Sequence, residues 1–307
     1  MKYRKLGKTE LRVSVVGIGT WQFGGEWGKV FTQREVDQIF EAARETGINL
    51  IDTAECYGDH LSESFVGNAI QKDRSQWVIA TKFGHKFHGN FNRSDRWKPE
   101  EVRQSLEESL KALKTDWIDI YQFHSGSDER FNQDDLWQML DDQVKAGKIR
   151  HLGISIGSNE NIYQTSNATR VNASVIQVIY NRLDQRPEME VLPACLEQNL
   201  GVLARVPLAS GLLSGKYKPG TVFQDADDVR SHRDPNEIQE RLKLVDQIKK
   251  LEVPEGVDMA SWALAWCLLH PAVTCVIPGC KNPQQVYTNA RASDLDLVSN
   301  THPQALS

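Results

Sequence analysis

Eight short apolar or β-branched runs alternate with longer amphipathic stretches along this chain, and that alternation restricts the fold more than any other feature. The runs are residues 13–19, 48–52, 77–82, 117–123, 151–155, 174–180, 201–206 and 274–278. Strand-like runs separated by helix-length segments build parallel sheets, because a parallel neighbour is reached only through a crossover of a dozen or more residues. Eight such units predict a closed (β/α)8 TIM barrel, an α/β fold. The segments between them carry helix punctuation: Pro99 opens a helix over 99–113, and Gly147 follows one over 133–146. Residues 1–12 (MKYRKLGKTELR) read as an N-terminal β-hairpin turning at Gly7 and Lys8 and closing the bottom of the barrel.

A length of 307 residues suits one barrel. No repeat and no linker rich in Pro or Ser divides the chain, so a single domain over 1–307 is expected. The balance of 36 Lys and Arg against 41 Asp and Glu gives a charge of −5, without the basic excess that phosphate-backbone binding needs, which argues against a nucleic-acid partner. The longest apolar stretch, 259–269 (MASWALAWCLL), is too short to span a bilayer, and no signal-peptide core opens the chain; a cytoplasmic protein with no membrane partner is the expectation. Five cysteines without a C-x-x-C pair indicate neither a disulfide framework nor a metal site. The longest connection, 208–235, contains Gly211, Gly215, Pro219 and Gly220 and precedes a helix beginning near Asn236; a loop of that length is expected to be functional.

Barrel enzymes place their chemistry at the C-terminal ends of the strands. Here those ends are polar: Asp52 closes the second run with Tyr57 just beyond it, Lys82 closes the third, His124 follows the fourth and Ser155 closes the fifth. A phenol, with an ordinary pKa of about 10, is a poor acid near neutrality. An adjacent Lys82 is expected to lower the pKa of Tyr57 and stabilise phenolate, Asp52 to compensate the buried ammonium, and His124 to hydrogen-bond a substrate oxygen. A lone Asp–Lys pair would read as a structural ion pair. Four titratable groups at successive strand ends do not, because barrel interiors are normally filled by branched apolar side chains.

These residues sit in D-T-A-E-C-Y-G (52–58), with G-I-G-T-W (17–21), I-A-T-K (79–82), Q-F-H (122–124), P-L-A-S-G-L-L-S-G-K-Y (207–217) and V-I-P-G (276–279) in order around them. The chain thereby resembles the aldo-keto reductase superfamily, in particular bacterial members related to potassium-channel beta subunits. The resemblance implies a catalytic tetrad of Asp52, Tyr57, Lys82 and His124, with Tyr57 protonating a carbonyl oxygen as hydride arrives from a nicotinamide. It implies cofactor contacts from Thr20, Trp21, Asp52, Ser155, Gln177, Arg205, Pro207, Leu208, Gly211, Lys216, Gly279, Lys281, Gln285 and Asn289. It also implies NADPH (NADP+) rather than NADH and a small-molecule carbonyl substrate, and it fixes no oligomeric state.

Three positions depart from the commoner family pattern. Ile156 follows Ser155 where an Asn is usual, Arg205 stands where many members stack an aromatic ring, and Gln285 replaces an arginine near the adenosine 2′-phosphate, leaving Lys281 as the local cation. Two other functions fit the same tetrad positions: a regulatory, cofactor-sensing subunit like those of potassium channels, and a barrel isomerase or aldolase using Lys82 as a Schiff-base amine.

Overall fold

The computed structural model describes residues 1–306. Its central sheet has eight parallel strands: β1 (Ile18–Gly19), β2 (Leu50–Asp52), β3 (Val78–Phe83), β4 (Ile118–His124), β5 (Ile149–Ser155), β6 (Ala173–Ile179), β7 (Gly201–Arg205) and β8 (Cys275–Val276). Each strand pairs with its successor in the chain. Parallel bridges Val16↔Val276 and Gly19↔Gly279 join the two edges and close a (β/α)8 barrel. The closure is tight: a Cβ on Gly19 would lie 2.7 Å from the Ile277 carbonyl oxygen, so a larger residue would push the edges apart.

The helices bury one stripe each against the outside of the sheet. Gln33–Thr46 turns in Val36, Ile39, Phe40 and Ala43 behind a Thr32/Glu35 capping box, and Pro99–Leu113 turns in Val102, Leu106, Leu110 and Leu113. The helix over 133–146 forms as Asp134–Lys145, and the one expected near Asn236 starts one residue earlier as Pro235–Leu251, because Pro235 takes the first helical position behind the Asp234 cap. The 208–235 connection is not featureless; it folds into short 3-10 turns at Ala209–Ser214 and Val229–His232.

At the bottom of the barrel Tyr3–Lys5 pairs antiparallel with Arg12–Ser14, and the turn closes with Leu6 N donating to Leu11 O at 2.9 Å. The expected strand over 13–19 is therefore split. Val13 and Ser14 belong to the hairpin, and the backbone changes partners at residues 15–17: Val15 N donates to Lys2 O, whereas Gly17 N donates to Val276 O. Gly7, at φ 55°, lies so near β7 that a Cβ would come within 2.1 Å of Gly201 N. Leu6 thus plugs the barrel, packing with Val13, Leu50, Ile120, Val175 and Leu203.

A second hairpin, His85–Gly89 with Asn92–Asp95, extends from β3 over the top of the barrel. The sequence reading did not find it, because its residues are polar and half-exposed and carry no apolar alternation. No helix among the described residues is long and apolar enough to cross a membrane.

Truncating the plug tests this packing. Leu6→Ala should cost about 2–5 kcal/mol in urea unfolding through the cavity it leaves, with turnover per folded molecule retained, since Leu6 lies at the opposite end of the barrel from the polar strand ends. A cost well under 1 kcal/mol would show that the hairpin contributes no core.

Candidate functional site

The polar strand ends converge as the barrel geometry requires. Asp52 is the last residue of β2, and its Oδ2 accepts from Lys82 Nζ at 2.8 Å. Lys82 spends its other two protons on Thr53 O at 2.7 Å and on Tyr57 Oη at 3.3 Å. All three ammonium donors are satisfied, which is how a lysine only 1% exposed keeps its charge. Asp52 Oδ1 accepts from Gln177 Nε2 at 2.6 Å and Gln122 Nε2 at 3.3 Å, so strands β2, β3, β4 and β6 are cross-linked through one carboxylate.

Burial opposes the charge on Lys82, but Asp52 and then Tyr57 outweigh it and hold its pKa above the ordinary value. That leaves no free amine for Schiff-base chemistry. Burial dominates at Tyr57 as well, pushing its pKa up to about 12 although Lys82 pulls it down. The expected lowering of the Tyr57 pKa is therefore corrected. Lys82 offsets only part of the desolvation, and Tyr57 is a neutral phenol around neutrality. Because its oxygen accepts from Lys82, its own proton is free to point elsewhere.

His124, at the end of β4, is pushed well below the ordinary histidine range by burial, with Lys82, His85, Arg205 and Arg93 adding to the effect. It is a neutral imidazole beside Tyr57, with ring centroids 6.3 Å apart. Its backbone is fixed by His85 Nε2, which donates to His124 O at 2.8 Å.

Tyr57 and His124 open into a cavity of about 500 Å³ that runs across the barrel mouth. Thr20, Trp21, Asp52, Gln177, Arg205, Pro207, Leu208, Gly211, Lys216, Gly279, Lys281, Gln285 and Asn289 line it too, so most of the residues singled out in the sequence share one wall system. Lys82 and Ser155 do not reach the wall. Ser155 stands behind Gln177, its Oγ donating to Gln177 Oε1 at 3.2 Å, and so orients the amide that does face the cavity. Gln285 accepts from Lys281 N at 2.7 Å, while Asn282 caps the helix Pro283–Ala290 through Gln285 N.

The long 208–235 connection, expected to be functional, meets the loop around Trp27 to roof this cavity. Residues 26–28 cross to 227–229 through the bridge Trp27↔Asp228, with Gly28 N donating to Asp227 O at 3.0 Å and Val229 N to Glu26 O at 3.1 Å. Lys281 Nζ donates to Trp27 O at 2.7 Å from below. Arg230, on the same roof, is held by both oxygens of Asp228 and by Tyr217 Oη. Glu26 is fully buried and accepts from Trp21 Nε1 and Arg93 Nη2, each at 2.5 Å, and from Phe91 N at 2.8 Å. Arg93 also lines the cavity. It comes from the second hairpin, in residues 87–97 that read from the sequence as a pocket-wall loop and not as strands.

The Aldo/keto reductase family model matches residues 15–305. Among curated proteins, the chain is 33% identical to the aldo-keto reductase YhdN of Bacillus subtilis, over 93% of this chain and 87% of that protein. It is 32% identical to an NADH-specific methylglyoxal reductase of Escherichia coli, over 97% of this chain and 95% of that one. Among solved structures, the aldo-keto reductase AKR11C1 from Bacillus halodurans superposes with a TM-score of 0.81 at 29% identity, covering 98% of this chain and 94% of that one.

Lys82→Met tests the coupling at the centre of the site. It leaves the buried Asp52 without its cation, so it should destabilise the fold by about 3–5 kcal/mol in denaturant. Any carbonyl-reducing turnover should fall by about 10²–10⁴-fold. In the native protein that turnover should stay flat between about pH 6 and 9, because a phenol with a pKa of about 12 does not titrate there. Retained activity in Lys82→Met would refute the coupling.

Proposed function

The chain belongs to the aldo/keto reductase family and is a nicotinamide-dependent oxidoreductase, and we propose that it reduces aldehydes or ketones to alcohols with NADPH, Tyr57 giving the proton. The observation that carries this reading is the contact of Lys82 Nζ with Tyr57 Oη inside a cavity that His124 also faces. The lysine occupies the phenol's acceptor side and directs the phenolic proton outward. The neutral His124 adds a second hydrogen-bonding group for the same substrate oxygen. As that oxygen becomes an alkoxide, Tyr57 O–H protonates it, and the phenolate left behind is held by the Lys82 ammonium. Asp52 keeps that ammonium charged and in place.

The residues present fit a dinucleotide. The cavity, about 500 Å³, presents the Gln177 amide beside Asp52 and carries Lys216 and Lys281, close to each other, on its wall. When bound, the nicotinamide supplies the hydride. Trp21, Gln177 and Arg205 would hold the ring, Pro207, Leu208 and Gly211 would border the pyrophosphate, and Gly279, Gln285 and Asn289 would border the adenosine. A preference for NADPH follows from Lys281 and Lys216, neither of which has a carboxylate partner among the described residues, whereas Arg230 is already spent on Asp228. Burial lowers the Lys281 pKa, and Arg230, Lys216 and Lys29 add to this; the same crowding of positive charge favours a dianionic phosphate there.

Two measurements test the proposal. Tyr57→Phe should lower kcat for an aldehyde by about 10²–10⁴-fold while the NADPH Kd, read from fluorescence quenching, stays unchanged. Near-native turnover would remove Tyr57 from the mechanism. With an aldehyde and ketone panel the native enzyme should turn over many times per chain, and a single stoichiometric oxidation of NADPH would indicate a cofactor-sensing subunit instead. Separately, Lys281→Ala should reduce the ratio of NADPH to NADH affinity about tenfold or more. An unchanged ratio would move the 2′-phosphate to Lys216 or to the roof.

A further inference from the structure

Glu55, Cys56 and His124 bring a carboxylate oxygen, a thiol sulfur and an imidazole nitrogen within 4.8 Å of one another. Cys56 is fully buried, and the only side-chain partner of its sulfur among the described residues is His124 Nδ1, at 3.7 Å. Glu55 is 2% exposed; one carboxylate oxygen accepts from His85 N at 3.0 Å, and the other, Oε2, is buried with no partner. Buried carboxylate oxygens are rarely left bare, because each lost hydrogen bond costs about 1–3 kcal/mol. The proposed reduction uses neither Glu55 nor Cys56.

We propose that these three residues form a binding site for a thiophilic divalent metal ion, zinc fitting best, and that occupancy arrests the enzyme by tying His124, through the Nδ1 that faces the Cys56 sulfur, to a cation beside Tyr57. Thiolate, imidazole and carboxylate are zinc's ordinary ligands, and three protein ligands leave a fourth position open. Zn–S and Zn–N bonds of about 2.3 and 2.0–2.1 Å place tetrahedral ligand atoms about 3.3–3.6 Å apart, close to the existing sulfur–nitrogen separation. Only the Glu55 carboxylate has to move in appreciably. On coordination the thiol gives up its proton to solvent and binds as thiolate.

Of the cations whose field reaches His124, two are matched by carboxylates, and Arg205, bonded only to the Ile156 carbonyl, is the one that opposes a metal. Lys82 is paired with Asp52 at 2.8 Å and Arg93 with Glu26 at 2.5 Å. Glu63, engaged with His60 and Thr81, adds a further carboxylate on the Glu55 side. The arrest rests on the reductase reading; the binding does not.

Cobalt(II) substitution tests the site on the full-length enzyme. Co2+ should bind one per chain with visible bands of tetrahedral intensity and a near-ultraviolet sulfur-to-cobalt charge-transfer band. Cys56→Ala and Cys56→Ser should both lose that band, which controls for the other four buried cysteines. In a competition with a chromophoric chelator, Zn2+ affinity should fall about 100-fold in Cys56→Ala and measurably in Glu55→Gln. Zn2+ should inhibit turnover, EDTA should restore it, and the inhibition constant of each variant, taken against its own metal-free rate, should follow its binding constant. Absence of the charge-transfer band in the native protein, or equal Zn2+ affinity in Cys56→Ala, would overturn the site. Binding without inhibition would overturn the arrest alone, and a protein that binds cobalt in this way but reduces no carbonyl would keep the site and lose the reductase reading.

Discussion

The ion pair between Asp52 and Lys82 is the constraint around which the upper half of the barrel is arranged. A buried ammonium is tolerated only when its charge is matched and its three protons are all accepted, and both conditions are met here by one carboxylate, one backbone carbonyl and one phenol. Asp52 is in turn held from strands β4 and β6 by Gln122 and Gln177. The carboxylate could not move toward solvent without breaking its hydrogen bonds to both amides. The phenol is therefore positioned by a network that reaches across half the sheet, and its proton-donating direction is a by-product of satisfying a buried lysine.

The two ends of the barrel solve opposite problems. At the bottom, Leu6 and its neighbours fill the interior with buried apolar side chains. At the top, the same strands end in Asp52, Lys82, Gln122, Gln177 and Arg205, groups that cannot close-pack without partners. The interior stays open there, and the loops bridge over it through residues 26–28 and 227–229.

What was legible in the sequence was what is local. Strand ends could be read because apolar runs stop abruptly at Asp52, Lys82 and His124, and the helix starts at Pro99 and Pro283 could be read because capping and proline placement act over three or four residues. Less legible were features made by distant chain segments. The split of residues 13–19 depends on where Val15 and Gly17 find carbonyls, one in the hairpin and one on β8. The Glu26–Arg93 pair joins residues far apart in the chain, one in a turn and one on a polar hairpin strand without apolar alternation. The sign of the Tyr57 shift depends on how completely the phenol is buried, a quantity that spacing does not encode.

Charge is distributed unevenly along the cavity, and this bears on how an elongated anion can lie in it. At the reacting end the cations Lys82 and Arg93 are each neutralised by a carboxylate, leaving Arg205, whose one hydrogen bond is to the Ile156 carbonyl. Under the roof Lys216 and Lys281 have no such carboxylate among the described residues, and the roof cation Arg230 is neutralised by Asp228. A ligand with phosphates at one end and an uncharged ring at the other lowers its energy most with the phosphates toward Lys216 and Lys281, where a dianion meets two unspent ammonium groups. Reversing it would leave the phosphates a single unmatched cation, the Arg205 guanidinium. Two unmatched ammonium groups against one guanidinium bias the cavity toward that orientation, and the bias comes from which cations already have carboxylate partners.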